Sequence, residues 1–292
     1  MNANTKARLL LFFIGIPIFA IVLFFMPFGH YVLLAALILA VQYLSSHEVR
    51  KMFPAGGLAD PGIWNSLVGL AQSALVYALC VAHVEPARTI EITLLCFAVL
   101  LSALLAPLGF SKKEKFPELL KLSGAISLAY FYTAFLPSLL MLIAAGFPEA
   151  RNAIISFAML TLGNDSLAWL FGKYLGKRRN IVEVSPNKSL AGFLGGSLGS
   201  IAAAFITLGL LDAAPYAGPA IMVALSIALG VGMAFFVIAG DLFESALKRA
   251  AGAKDSGFIV PGRGGVLDSF DSLYFSAPFF VVFSLMFHLF GL

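Results

Sequence analysis

The residues best able to do chemistry are gathered between Gly240 and Asp271, GDLFESALKRAAGAKDSGFIVPGRGGVLDSFD, in a chain where charge is otherwise scarce. Written as a helix, Asp241, Glu244 and Lys248 recur at i, i+3 and i+7 and share one face, with Arg249 beside them. Lys254 and Asp255 follow. Then comes Pro261-Gly262-Arg263-Gly264-Gly265, too rich in Gly and Pro to be helical and able to bring backbone N–H groups close to an anion. A second acidic pair, Asp268 and Asp271, is spaced i, i+3. Acidic pairs on two elements, with Lys and Arg between them and a glycine turn, suit a divalent cation holding a polyphosphate. The carboxylates offer oxygen ligands to Mg²⁺, and the cations and amides meet the remaining phosphate charge. The same pattern also fits a solvated cytoplasmic loop that only obeys the charge rules of membrane topology.

A second informative stretch runs from Gly163 to Gly199. Asp165 falls inside an otherwise apolar segment, where a carboxylate is costly unless it meets a cation, a hydrogen bond or a polar cavity. Ala168 and Gly172 lie at i+3 and i+7 from it and allow close approach of a neighbouring helix. Gly192, Gly195, Gly196 and Gly199 read most simply as small-residue helix packing.

Both stretches resemble the phosphatidate cytidylyltransferases (CDP-diacylglycerol synthases). The C-terminal signature of that family is matched by Ser245, Lys248-Arg249, Lys254-Asp255, Pro261-Gly262-Arg263-Gly264-Gly265, Asp268-Ser269 and Asp271. The earlier motif is matched by Asn164-Asp165, Ala168, Gly172-Lys173, Gly176-Lys177, Ser185-Pro186-Asn187-Lys188-Ser189, Gly192 and Gly195-Gly196. Three positions depart: Arg263 stands for the family His, Ser269 for an Arg and Ala191 for a Glu. The resemblance covers about Asn164 to Asp271, whereas the N-terminal segments match in hydropathy alone.

The resemblance implies an enzyme of phospholipid biosynthesis that couples CTP to phosphatidic acid, with Mg²⁺ and room for a second cation, acting as a homodimer. It implies Asp165, Asp241, Lys248, Asp268 and Asp271 as catalytic, with Asp241, Asp268 and Asp271 on the metal. Lys173, Ser185, Lys188, Arg249, Lys254, Arg263, Gly264 and Gly265 are the implied substrate contacts. Two readings of other classes stand beside it. One is a non-catalytic relative that binds lipid or nucleotide or regulates a partner, marked by the three departures. The other is a transporter, which would suit Asp165 but explains neither acidic pair.

The elements that must carry these residues are membrane helices. With 60% hydrophobic and 12% charged residues and a mean hydropathy of +0.95, the chain is an integral membrane protein. Cys80 and Cys96 lie in apolar stretches and form no disulfide framework, and His30, His47, His83 and His288 never pair at ligand spacing. The basic residues sit in short loops and form no continuous patch, so nucleic acid is not the partner; anionic lipid or nucleotide is.

Nine apolar segments are long enough to span, an all-α polytopic fold: about Leu9–Pro27, Tyr31–Ser46, Ile63–Val84, Ile90–Leu108, Leu119–Ala145, Ala153–Leu175, Leu190–Leu211, Ala220–Ala239 and Leu273–Leu292. The first reads as a retained helix because no small-residue cleavage site follows it, and the second is short for a span. With the N-terminus in the cytoplasm, every Lys and Arg except Arg88 and Arg151 falls on the cytoplasmic side. This orientation puts Gly240–Asp271 there too, at the plasma membrane of a bacterium. No polar block could form a soluble domain. The division expected is 1–150 as structural, lipid-facing helices and 151–292 as the catalytic region. Lys112-Lys113-Glu114-Lys115 reads as a loop that sets orientation.

Arg263 and Ser269 together suggest a swap, in which an arginine lost at one phosphate contact is regained at the other. Arg263→His alone is then expected to lower cytidylyltransferase activity, and adding Ser269→Arg to restore it. A rise in activity with Arg263→His alone would mark the arginine as a lesion.

Overall fold

A computed structural model describes residues 21, 26–210, 218–260, 262 and 264–289. The expected first span, Leu9–Pro27, lies almost wholly outside the described residues, as do Pro261 and Arg263. The rest is helical, and among the described residues 8 helices are long and apolar enough to cross a membrane. Each coincides with one of the expected spans. The chain divides into two compact units, one of residues 1–146 with 247–270 and one of residues 147–246 with 271–292. The charged stretch 247–270 belongs by its contacts to the first unit.

In the first unit, α1 (Phe28–Ala55), α2 (Ile63–Val81) and α3 (Pro86–Leu105) pack with a long helix made of α4 (Phe116–Tyr130), a π turn (Phe131–Phe135) and α5 (Leu136–Ala145). Every residue from Leu136 to Ala145 is buried, as expected for a helix that is apolar all round. Pro137 has no N–H to give back to the preceding turn, and the helix widens there into the π turn. Polar residues tie these helices together, because lipid offers no hydrogen bonds of its own. Asn65 donates to the Ile126 carbonyl at 2.9 Å, Tyr130 donates to Gln72, and the Ser46 and Ser66 hydroxyls pair.

The second expected span proves longer than its apolar run. α1 has 28 residues, and its buried stripe of Gln42, Ser45, Ser46, Val49, Met52 and Phe53 continues past the polar residues that close the run. The α1–α2 loop is fastened by Asp60, which accepts from Arg50 Nε at 2.9 Å and Nη2 at 3.0 Å and from the Gly62 N–H at 2.8 Å.

In the second unit, α6 (Ala150–Tyr174) and α7 (Leu190–Leu210) lie backbone to backbone. A Cβ on Gly196 would come 2.7 Å from Asn164 Oδ1, and one on Gly163 would come 3.3 Å from the Gly199 carbonyl oxygen. The packing expected of these glycines is what the structure has. α8 (Pro219–Ala250) and α9 (Leu267–Leu289) approach as closely: a Cβ on Gly240 would meet the Asp271 carbonyl oxygen at 2.8 Å. α8 has 32 residues and is about 48 Å long, against about 30 Å of hydrocarbon. Its last turns, from Asp241 onward, are therefore helix that the bilayer does not require.

The Arg50 hydrogen bond, with help from the Gly62 N–H, holds the Asp60 carboxyl below the usual carboxylate range, against the opposing effect of burial. A carboxyl depressed on folding stabilises the fold above its unfolded pKa and loses that contribution as pH falls through the folded value. The pair is half exposed, so its worth is about 0.2–1 kcal/mol. Asp60→Asn is expected to lower the melting temperature in detergent slightly at pH 7 and to converge on the wild type in acid, once the pH falls below the depressed pKa of the folded carboxyl. A gap that persists in acid would contradict this account.

Candidate active site

In the first unit the charged stretch is a loop wrapped round two carboxylates. Asp268, in the first turn of α9, accepts from the N–H groups of Ser256 at 2.8 Å and Gly265 at 2.7 Å, both on Oδ2. Its Oδ1 pairs with Lys248 from the end of α8, and the two side chains are 7% and 12% exposed. Glu48, on α1, accepts from the N–H groups of Val266 and Leu267, each at 2.8 Å. The Ser256 hydroxyl lies 2.8 Å from Glu48 and 2.9 Å from Asp268 and has one proton to give them.

The glycines of the motif make room for these oxygens. A Cβ on Gly264, whose φ is +111°, would come 2.7 Å from Asp268 Oδ2, and one on Gly265 would come 2.5 Å from Glu48 Oε2. The anions that the glycine turn approaches in this structure are thus the protein's own carboxylates. Sequence reasoning missed Glu48. The signal was available, because a carboxylate closing an apolar helix is subject to the same cost that singles out Asp165.

In the second unit, Lys188 forms an ion pair with Asp241 of α8. The loop that presents Lys188 is folded back on itself: the Asn180 N–H donates to Pro186, the Lys188 N–H to Ser185, and Arg179 bridges Ser189. Ser189 then caps α7, its hydroxyl accepting from the Gly192 N–H at 3.1 Å. Ala191 lies between them in the first turn, so the family's carboxylate there would also sit at the helix N-terminus. Asn164, not Asp165, faces α7, donating to Ser200 at 3.0 Å; Asp165 is exposed on α6. Glu244 and Asp271 are buried, at 0% and 7% exposure, and Asp271 accepts from the Ser272 N–H at 2.7 Å.

Lys173 lies over Trp169 at 4.6 Å and Tyr174 at 5.2 Å, a cation–π arrangement of the kind found where helices leave the hydrocarbon. Arg249 donates to the Ala253 carbonyl at 3.1 Å, at the C-terminal end of α8. Lys254 is exposed, Ser185 is half-buried, and Arg263 lies outside the described residues. Ser269 turns its hydroxyl back toward the Gly265 carbonyl at 3.4 Å.

Among the described residues, no group of three or more His, Cys, Asp and Glu could by itself hold a metal. Mg²⁺ needs no such cage, since it commonly takes one or two carboxylates and completes its octahedron with water and substrate phosphate. The donors here are carboxylate oxygens, and Asp241 and Asp268 already hold a cation, a lysine ammonium in each case. The residues fit a hard divalent ion.

The sequence model of the cytidylyltransferase family matches residues 6–287. The chain belongs to that family. It is 38% identical over 145 residues, 50% of its length, to the uncharacterized protein YnbB of Escherichia coli (strain K12), covering 46% of that protein. It is 38% identical over 132 residues to the phosphatidate cytidylyltransferase of Staphylococcus aureus (strain COL), covering 44% of this chain and 48% of the relative. With the phosphatidate cytidylyltransferase of Staphylococcus epidermidis (strain ATCC 12228 / FDA PCI 1200) the identity is 37% over 128 residues, 44% of this chain and 46% of the relative. The chain thus spans about half the length of the curated relatives it matches.

For a cytidylyltransferase, a lysine beside a carboxylate can meet phosphate while the carboxylate meets the cation that phosphate brings. If this chain has the activity proposed below, Lys188→Ala is expected to raise the KM for CTP or lower kcat by about tenfold, while Lys112→Ala leaves both near wild type. Equal effects of the two substitutions would reduce Lys188 to a general electrostatic role.

Proposed function

We propose that the protein is a phosphatidate cytidylyltransferase, converting CTP and phosphatidic acid to CDP-diacylglycerol and pyrophosphate. The observation that carries this reading is the pairing of motif lysines with acids: Lys188 of the Ser-Pro-Asn-Lys segment with Asp241, and Lys248 with Asp268. Lys188, Lys248 and Asp268 lie within the stretches that resemble the family's motifs. The similarity to staphylococcal enzymes of that name supports the same reading.

An oxygen of the lipid phosphate attacks the α-phosphorus of CTP and forms a new P–O bond. The bond from that phosphorus to the α–β bridging oxygen breaks, and pyrophosphate leaves with the oxygen and its electrons. The nucleophile is already an anionic oxygen, so the protein need not remove a proton or form a covalent intermediate. Its work is to position two anions that repel each other and to neutralise their charge. Lys188, Lys248 and Arg249 are assigned to phosphate, with Lys173, Ser185, Lys254, Arg263 and the Gly264 and Gly265 backbone as further contacts. Asp241, Asp268 and Asp271 would hold Mg²⁺, and a second cation beside it, with Asp165 adjacent in role. The bound ion supplies Lewis-acid stabilisation of the phosphate oxygens.

The active side faces the cytoplasm of a bacterial plasma membrane, supported by the distribution of Lys and Arg. A homodimer is the assembly the family resemblance suggests. The departures at Arg263, Ser269 and Ala191 favour the second reading, a relative that binds lipid or nucleotide without turnover.

Purified protein with cytidine-labelled CTP, Mg²⁺ and phosphatidic acid is expected to move label into the lipid phase, and Asp268→Asn to abolish transfer without loss of helix content. Near-normal transfer by Asp268→Asn would remove that residue from the metal, and no transfer by the wild type would favour the non-catalytic reading.

A further inference from the structure

Glu48 is on α1, far in sequence from every motif that carries the chemistry, and it is 3% exposed. A carboxylate so buried must be compensated locally. Its partners are neutral groups: the N–H groups of Val266 and Leu267, at the start of α9, and the Ser256 hydroxyl. The first N–H groups of a helix have no partner within the helix and carry its positive end, so an anion there is held by hydrogen bonds and by the dipole together. Two glycines admit it. A Cβ on Gly257 would come 2.5 Å from Glu48 Oε1, and one on Gly265 would come 2.5 Å from Oε2. Through Ser256, the hold on Glu48 is shared with Asp268, which also carries Lys248.

We propose that Glu48 is a positioning residue of the transfer site: it pins Ser256 and the Val266–Leu267 start of α9 to α1, and so sets where Asp268 and Lys248 stand toward the nucleotide phosphates and their cation. Glutamine keeps the shape of the side chain but turns one acceptor oxygen into a donor facing N–H donors. The two N–H groups and the hydroxyl cannot then all be satisfied. The loop loosens while the helices stay packed. The kinetic part of this inference rests on the cytidylyltransferase reading; the structural part does not.

The test compares wild type, Glu48→Gln and Ser256→Ala as the whole chain in lipid nanodiscs. The first readout needs no activity: tryptic cleavage after exposed Lys254, relative to cleavage in the Lys112–Lys115 loop of the same sample. Glu48→Gln is expected to speed the first about tenfold, the loss of a charged hydrogen-bond acceptor, and to leave the second unchanged. Ser256→Ala acts in the same direction, more weakly, and serves if Glu48→Gln does not fold. The second readout is the Mg²⁺ concentration giving half-maximal transfer, expected to rise several-fold. A smaller folded fraction would lower the maximal rate and leave that midpoint where it was.

Unchanged cleavage after Lys254, or cleavage raised equally at both loops, overturns the proposal. So does an unshifted Mg²⁺ midpoint in an active protein. If the wild type transfers no label, the reaction reading fails, and the cleavage comparison alone decides whether Glu48 holds the loop.

Discussion

Backbone N–H groups at Ser256, Gly265, Val266 and Leu267 all end on two carboxylates, those of Asp268 and Glu48. Beyond the bridge between Val260 and Gly264, the described part of this loop has no helix or sheet to satisfy its backbone, and its buried N–H groups need other acceptors. Two side-chain anions meet that need and fix the loop's shape with it. The constraint then propagates. Gly264 and Gly265 must lack a Cβ, Lys248 must reach Asp268 to balance its charge, and α1 must run past its apolar stretch to deliver Glu48.

The second unit solves a different problem, bringing helices close enough for short loops to present charge. α6 and α7 meet through Gly163, Gly196 and Gly199, leaving Asn164 as the internal hydrogen-bond donor and the Ser185–Ser189 loop folded at their end. Small residues suit this task, since apolar surface gains little from burial when the surroundings are lipid. The loop's rigidity comes from its own backbone bonds and the Ser189 cap, and it leaves Lys188 on Asp241. Both lysine–acid pairs are thus placed by the fold itself.

Much of this was legible in the sequence because membrane helices declare themselves by length and hydropathy, and small-residue spacing declares their packing. The eight described spans and the role of Gly196 and Gly199 follow from those rules. Glu48 was hidden by treating the end of the apolar run at Ser46 as the end of the helix, although the buried positions Ser45, Val49, Met52 and Phe53 keep helical spacing beyond it. The glycine turn was read as a cradle for a bound anion, and no local pattern could tell that α1 supplies one, since residues 48 and 266 are brought together only by the fold. Asp165 was flagged by its cost in lipid; on α6 it is exposed, and its neighbour Asn164 is the residue turned toward α7.

The most direct test of this account is amide hydrogen exchange of the wild-type protein in nanodiscs, without metal or nucleotide. Held by Glu48 and Asp268, the N–H groups of Gly265, Val266 and Leu267 are predicted to exchange nearly as slowly as the hydrogen-bonded amides further along α9, although loop residues adjoin them. Exchange at the rate of the exposed Lys112–Lys115 segment, a single 3₁₀ turn, would contradict it.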